Sequence, residues 1–337
     1  MTLVRRNLPT VAALVLLSLT AAAAAQAPPV VVEAPPPREA ATPVFPVEVD
    51  VTNVTVTVLD AAGRLVTNLA RTDFVVLEDG QPQDVVVFGS ALDGTTVDDA
   101  AAGRRPRDVM TLDLGLLLDT SGSMVKELKL SKEAAVRFLD TVPRARELYT
   151  IFFGEEIRLS RYDSEIQQGL FERIAELKGG GDTALYDAIA TYISRVQGSP
   201  GRKTMVVFSD GEDTRSTLGL NDLLDVIRSS AVTIYPISFM GSFAPGSSRA
   251  LKSRAFLQQI AEMTGGQVLT PHSSRELGAI YEKILAELGA QYVLGFLSTN
   301  TKHDGTFRKL KVAVKRPGLR IRHRRGYYAP VPPAASR

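Results

Sequence analysis

The first sustained pattern in the chain is an alternation of valines with polar residues. Val49, Val51 and then Val54, Val56 and Val58 predict extended backbone with one buried face. Asp60 to Gly63 reads as a turn and Phe74–Leu77 as a second strand. Glu78-Asp79-Gly80 reads as a tight turn leading to a third strand, Val85–Phe88. Beyond residue 109 the pattern changes. Apolar runs at Leu112–Leu118, Leu148–Phe153, Glu156–Tyr162, Thr204–Ser209, Val232–Phe239 and Gln267–Thr270 read as strands separated by helices. Leu185, Ala188, Ile189, Tyr192, Ile193 and Val196 recur at helical spacing, as do Leu277, Ile280, Tyr281, Ile284, Leu285 and Leu288. Ser273 and Glu276 have the spacing of a capping box for the last helix.

Buried strands alternating with helices predict an α/β fold: a doubly wound, Rossmann-like, mostly parallel sheet with helices on both faces. Leu148–Phe153 and Glu156–Tyr162 are too close for a crossover, so they are expected to form an antiparallel hairpin at the sheet edge. After Leu288 the β pattern returns at Gln291–Leu297, Leu310–Lys315 and Leu319–His323, with a turn at Pro317-Gly318. Each flank is too small to be stable alone, so the two are expected to combine into one small all-β, sandwich-like domain. The expected plan is a β segment over 47–90, a linker over 91–108, the α/β domain over 109–290, a second β segment over 291–329 and a tail over 330–337.

The amino-terminal stretch falls outside that plan. Arg5 and Arg6, the apolar run Val11 to Leu19 and the small-x-small motif Ala25-Gln26-Ala27 match a secretory signal over residues 1–27. Seven prolines between residues 28 and 46 make the next stretch a semi-extended tether. The expected location is therefore periplasmic, cell-surface or extracellular. Loss of Arg5 and Arg6 with the signal leaves equal numbers of basic and acidic residues, so net charge points to no partner. The chain has no cysteine, which excludes disulfides, thiolate metal sites and a cysteine nucleophile.

The candidate chemistry lies at the ends of the apolar runs. Asp119, Ser121 and Ser123 occupy LLLDTSGSM, Thr183 lies in GGGDTALYDAI, and Asp210 in VVFSDGED. Each follows a predicted buried strand or precedes a helix, and in an open α/β sheet such positions converge at the carboxyl edge. Two carboxylates and three hydroxyls are hard oxygen donors, suited to Mg²⁺, Mn²⁺ or Ca²⁺ rather than Zn²⁺. Gly122 is expected to let the backbone turn between the two serines. Asp182, Glu212 and Asp213 read first as solvated loop charges, with support of the ligands from behind as the alternative, and Asp187 reads as a helix residue away from the ligands.

Asp-x-Ser-x-Ser followed by a distant Thr and a distant Asp resembles the metal-ion-dependent adhesion site of von Willebrand factor A domains. The resemblance spans roughly residues 109 to 290. It implies a divalent metal held by Asp119, Ser121, Ser123, Thr183 and Asp210, with the serines in direct contact and the aspartates often acting through water. It also implies a protein partner that completes the metal with an Asp or Glu carboxylate. The flanks, VTNVTVTVLDAAGRLVTNL and QYVLGFLSTNTKHDGTFRKLKVAV among them, resemble exported bacterial proteins of the kind abundant in Acidobacteria.

Other readings fit the residues less well. A phosphatase using Asp119 as nucleophile wants a second Asp where Ser121 stands. A serine hydrolase elbow reads Gly-x-Ser-x-Gly, which is absent here, and none of His272, His303 and His323 has a general-base setting. An envelope scaffold with a stabilising metal is the remaining alternative. The ten basic residues from Lys302 to Arg325 read chiefly as a solvated strand face, leaving a weak contact with an anionic surface as a minor possibility. Without interleaved aromatics they make no base-stacking platform, so nucleic acid is not an expected partner.

Overall fold

The computed structural model describes residues 51–91, 96–97, 109–142, 145–162, 167–239, 241, 243–244, 246–271 and 274–331. The signal segment 1–27, the proline-rich stretch 28–46, most of the linker 91–108, residues 332–337 of the tail, His272 and the Ser273 half of the capping box lie outside the described residues.

In chain order the strands are β1 (Val51–Leu59), β2 (Phe74–Glu78), β3 (Gln81–Gln83), β4 (Val85–Ser90), β5 (Thr96–Val97), β6 (Leu112–Asp119), β7 (Glu147–Phe153), β8 (Ile157–Tyr162), β9 (Arg202–Ser209) and β10 (Val232–Ser238), followed after two helices by β11 (Tyr292–Leu297), β12 (Phe307–Val314), β13 (Arg320–Arg322) and β14 (Gly326–Tyr328). The helices are α1 (Leu128–Thr141), α2 (Gln167–Glu176), α3 (Leu185–Val196), α4 (Leu220–Ser229), α5 (Ser248–Thr264) and α6 (Ser274–Ala290).

The central sheet runs β10-β9-β6-β7-β8. Its first four strands are parallel, and β8 pairs antiparallel with β7 as the hairpin expected at the edge. Successive side chains of a strand point to opposite faces. On β6, Leu112, Leu114, Leu116 and Leu118 pack with Phe138 of α1, Leu170 of α2 and Ile284 of α6. Leu117 packs the other way, with Ile189 of α3, Leu223 of α4 and Leu257 of α5. Burial on both faces explains why the sequence shows near-continuous apolar runs here rather than alternation. The same parity puts Asp119 on the α3–α5 face.

One expected strand is reduced to a single bridge. Gln267–Thr270 meets β10 only at Ile237 and Leu269, through Leu269 N–H donating to Pro236 O at 2.9 Å and Ser238 N–H donating to Leu269 O at 2.8 Å. The segment is bounded by Gly265-Gly266 and Pro271, and Pro236 offers no N–H to lengthen the ladder.

The flanks form the additional β sheets. One is ordered β13-β1-β11-β4-β5 and the other β14-β12-β2-β3, so strands from both ends of the chain pair with each other. Val54, Val56, Phe88, Tyr292 and Leu294 of the first sheet pack against Phe74, Val76, Leu310 and Val312 of the second. The Phe74 and Tyr292 rings lie 5.1 Å apart at the centre of this core. Only Gln291 separates α6 from β11, so the last helix of the α/β layer feeds directly into the sandwich.

The basic carboxyl-terminal run is not a single solvated face. Arg308 is buried beside Glu78, Arg322 pairs with buried Glu287, and Arg324 lies over the Tyr327 ring at 5.5 Å. Exposed cations remain at Lys302, Lys309, Lys311, Lys315, Arg316, Arg320 and Arg325, the last paired with Glu262. His323 is half-buried: its Nε2 accepts from Val312 N–H at 3.1 Å and its Nδ1 lies 2.7 Å from Arg324 O. Among the described residues no helix is long and apolar enough to cross a membrane.

Candidate metal centre

Asp119 is the last residue of β6, so a strand paired on both sides delivers its carboxylate to the carboxyl edge of the sheet. It is completely buried. One oxygen accepts from Ser121 N–H at 2.9 Å and the other from the Ser209 hydroxyl at 2.7 Å. No basic side chain among the described residues bonds to it. Burial pushes its carboxyl up to about 7; the neighbouring Asp210 charge adds to the rise, while the Ser121 and Ser209 hydrogen bonds oppose it.

A short 3₁₀ turn, Gly122–Met124, follows at once and folds the loop back on itself. It sets the Ser121 and Ser123 hydroxyls 3.2 Å apart. Gly122 has no positive φ, so the turn between the serines does not demand the left-handed region. Its smallness serves a close approach: its N–H donates to Gly181 O at 2.9 Å, and a Cβ there would sit 3.2 Å from that carbonyl. Gly180 N–H donates to Thr120 O at 2.9 Å, so the glycine loop before α3 is bonded twice to the Asp-x-Ser-x-Ser loop.

Asp210 follows β9 and is also completely buried. Ser209, which sequence reasoning passed over, joins the two carboxylate loops: its hydroxyl donates to Asp119 and accepts from Gly211 N–H at 3.0 Å. Gly211 needs the left-handed region, at φ 85°, and packs so closely that a Cβ would lie 2.9 Å from Leu257. Glu212 N–H donates to Asp210 at 3.1 Å, and the Glu212 carboxylate grips Arg249 at the start of α5 through two bonds of 2.6 Å.

Thr183 is buried at the end of the glycine loop. Its N–H donates to the Thr214 hydroxyl at 2.9 Å, and its carbonyl accepts from Thr214 N–H at 2.9 Å and Arg215 N–H at 3.0 Å. Its own hydroxyl makes no hydrogen bond among the described residues. Asp119, Ser121 and Ser123 thus form one contiguous group, Asp210 stands within electrostatic reach of Asp119, and Thr183 is held on the adjoining loop. Its hydroxyl is not bonded to the other four.

The residues fit a hard divalent cation. Two buried carboxylates close to each other, one lacking any basic partner, need a compensating positive charge, and the added donors are uncharged oxygens. Among the described residues no group of three or more His, Cys, Asp and Glu is arranged to hold a metal, so hydroxyl donors set this candidate apart. A cleft of about 600 Å³ opens beside it, lined by Thr120, Gly154, Gly180, Gly181, Arg158 and Arg173 among others.

The von Willebrand factor type A domain family matches residues 113–283. Among solved structures, proximal thread matrix protein 1 from the mussel byssus is similar at 17% identity and a TM-score of 0.42, over 54% of this chain and 49% of that one. A von Willebrand factor type A protein from Catenulispora acidiphila shows 13% identity and a TM-score of 0.45, over 85% and 75%. An aerotolerance-related membrane protein from Bacteroides fragilis NCTC 9343 shows 18% identity and a TM-score of 0.39, over 52% and 98%. This chain therefore spans about half the length of the mussel protein and nearly all of the Bacteroides one. No curated protein matches significantly. The family match extends from the first buried strand of the central sheet into α6, and the chain belongs to the von Willebrand factor type A domain family.

Proposed function

We propose that this is an exported, non-enzymatic protein that binds a protein partner through a divalent metal. Asp119, Ser121, Ser123, Thr183 and Asp210 would hold the ion, Mg²⁺ in the first instance and Mn²⁺ or Ca²⁺ as alternatives. The reading rests on one observation above the rest: Asp119 is fully buried beside Asp210, and no basic side chain among the described residues bonds to it. When bound, the metal supplies a positive centre open to a further oxygen ligand. The two carboxylates balance a divalent charge and the hydroxyls add only dipoles, so an incoming Asp or Glu carboxylate is not repelled. The adjoining cleft, with basic and acidic walls, offers room for the partner's neighbouring residues.

The non-enzymatic reading is supported by the surroundings. His303 is exposed on the sandwich and His323 is hydrogen-bonded inside it, so neither is a general base for the site. Export rests on the signal features of residues 1–27. Internal engagement of Arg308, Arg322 and Arg324 weakens the case for an anionic surface at the carboxyl-terminal strands.

Capture of partners from a cell extract, with Mg²⁺ or with chelator, tests the proposal. Capture that needs Mg²⁺ and is lost in Asp119→Ala is expected. Chelator-insensitive capture by both proteins would contradict the metal bridge and favour the scaffold reading. Mg²⁺-dependent phosphatase turnover lost in Asp119→Asn would overturn the non-enzymatic reading.

A further inference from the structure

The loop after Asp210 does more than carry one ligand. The first turn of α3 begins at Ala184, whose side chain provides no cap, so its amide N–H groups need acceptors from elsewhere. The acceptors come from the other loop. Tyr186 N–H donates to Asp213 at 3.0 Å, Asp187 N–H to the Ser216 hydroxyl at 3.1 Å, and Thr183 N–H to the Thr214 hydroxyl at 2.9 Å. The arrangement is reciprocal. The Asp187 carboxylate accepts from Thr217 N–H at 2.8 Å and Leu218 N–H at 3.0 Å, and the Ser216 hydroxyl donates to Asp213 at 2.6 Å.

Resting on the metal-centre reading above, we infer that Asp187 and Asp213 are positioning residues of that centre, clamping the 213–218 loop to the start of α3 so that Thr183 is held in register with Asp210. Neither acid is a metal ligand in this account. Thr183 lies two residues after three consecutive glycines; Gly180 and Gly181 are bonded to the Asp-x-Ser-x-Ser loop, whereas the backbone of Thr183 itself is held by the 213–218 loop. Both carboxylates also sit at the positive end of α3, where negative charge is favourable. Release of the clamp frees Thr183 and loosens the segment that follows Asp210, while leaving all five ligand side chains present.

The test is Mn²⁺ titration of purified Asp213→Ala and Asp213→Asn beside the wild type, with amide hydrogen exchange on the metal-free proteins. Asp213→Ala is expected to weaken Mn²⁺ binding about tenfold or more, as loss of groups that orient metal ligands commonly does. Asp213→Asn, which keeps one acceptor oxygen, recovers part of the loss, and exchange at residues 183, 186 and 187 quickens in Asp213→Ala. A merely structural cap would lower the melting temperature while leaving Mn²⁺ affinity unchanged, and that result overturns the inference. Where Asp213→Ala does not fold, Thr214→Val removes only the acceptor for Thr183 N–H and carries the same expectation and the same refutation. A wild type that binds no Mn²⁺ would overturn the metal centre itself, and the clamp's role with it.

Discussion

Two buried carboxylates at opposite ends of the central sheet are treated in opposite ways. Glu287 on α6 is 2% exposed and accepts from Tyr235 OH at 2.6 Å, Gln267 Nε2 at 3.0 Å and Thr57 Oγ1 at 3.3 Å. Arg322 of the sandwich stands 2.5 Å away as a built-in counter-charge. Asp119 is buried as completely, yet its partners are an amide and hydroxyls, and its charged neighbour is another carboxylate. An unpaired buried charge is costly, so a fold keeps one where something outside the chain compensates it. At the base, the chain supplies its own cation and joins the β13-β1-β11-β4-β5 sheet to the α/β layer. At the carboxyl edge it supplies neutral donors to Asp119 and no cation, which supports the proposed site rather than a second joint.

The contrast predicts substitutions of opposite sign. Glu287→Gln leaves the Arg322 guanidinium without its counter-charge and should destabilise the protein by about 3 kcal/mol, with or without metal, in urea unfolding. Asp119→Asn replaces a buried charge whose ionisation is already disfavoured. In chelator at pH 8 it should leave the protein at least as stable as the wild type, with a gain of roughly 1–3 kcal/mol. Equal losses from both substitutions would erase the distinction between joint and site.

The smallest expected effect concerns pH at the base. Burial lowers the His323 pKa from 6.5, and the Arg324 charge lowers it further, against the backbone hydrogen bond to Arg324, which raises it. Nε2 accepts an amide N–H, so the folded protein holds the neutral imidazole with its proton on Nδ1. The folded state therefore binds the second proton more weakly than the unfolded chain. The contribution is intact above pH 6.5 and is lost as pH falls below that value toward the folded pKa. In Asp119→Asn, which removes the opposing titration of the Asp119 carboxyl, stability in chelator should decline below pH 6.5, with a shallower slope when His323→Gln is added. Identical slopes would remove His323 from the account.

Much of the fold was legible because burial on two faces writes itself as apolar runs. Leu112 to Leu118 had little alternative to a central strand, and the short link between β7 and β8 dictated their hairpin. The five candidate ligands stood out because each lies where a strand or glycine loop ends. What escaped was decided by partners far away in sequence. Asp187 and Asp213 look like surface acids until the loop that each one caps is seen opposite them. Ser209 reads as the end of an apolar run, and only the fold shows its hydroxyl joining Asp119 to Gly211. Arg308, Arg322 and Arg324 look like a solvated basic strip, because nothing local shows that Glu78, Glu287 and the Tyr327 ring await them.

The central claim is that Asp119 is compensated by a bound cation. The most direct measurement is thermal unfolding of the wild type and Asp119→Asn in chelator and in saturating Mn²⁺. A ligand at about 100 times its Kd adds about 2.7 kcal/mol of stability. The account predicts a clear rise in melting temperature for the wild type and none for Asp119→Asn. No rise in the wild type, or the same rise in both proteins, would contradict it.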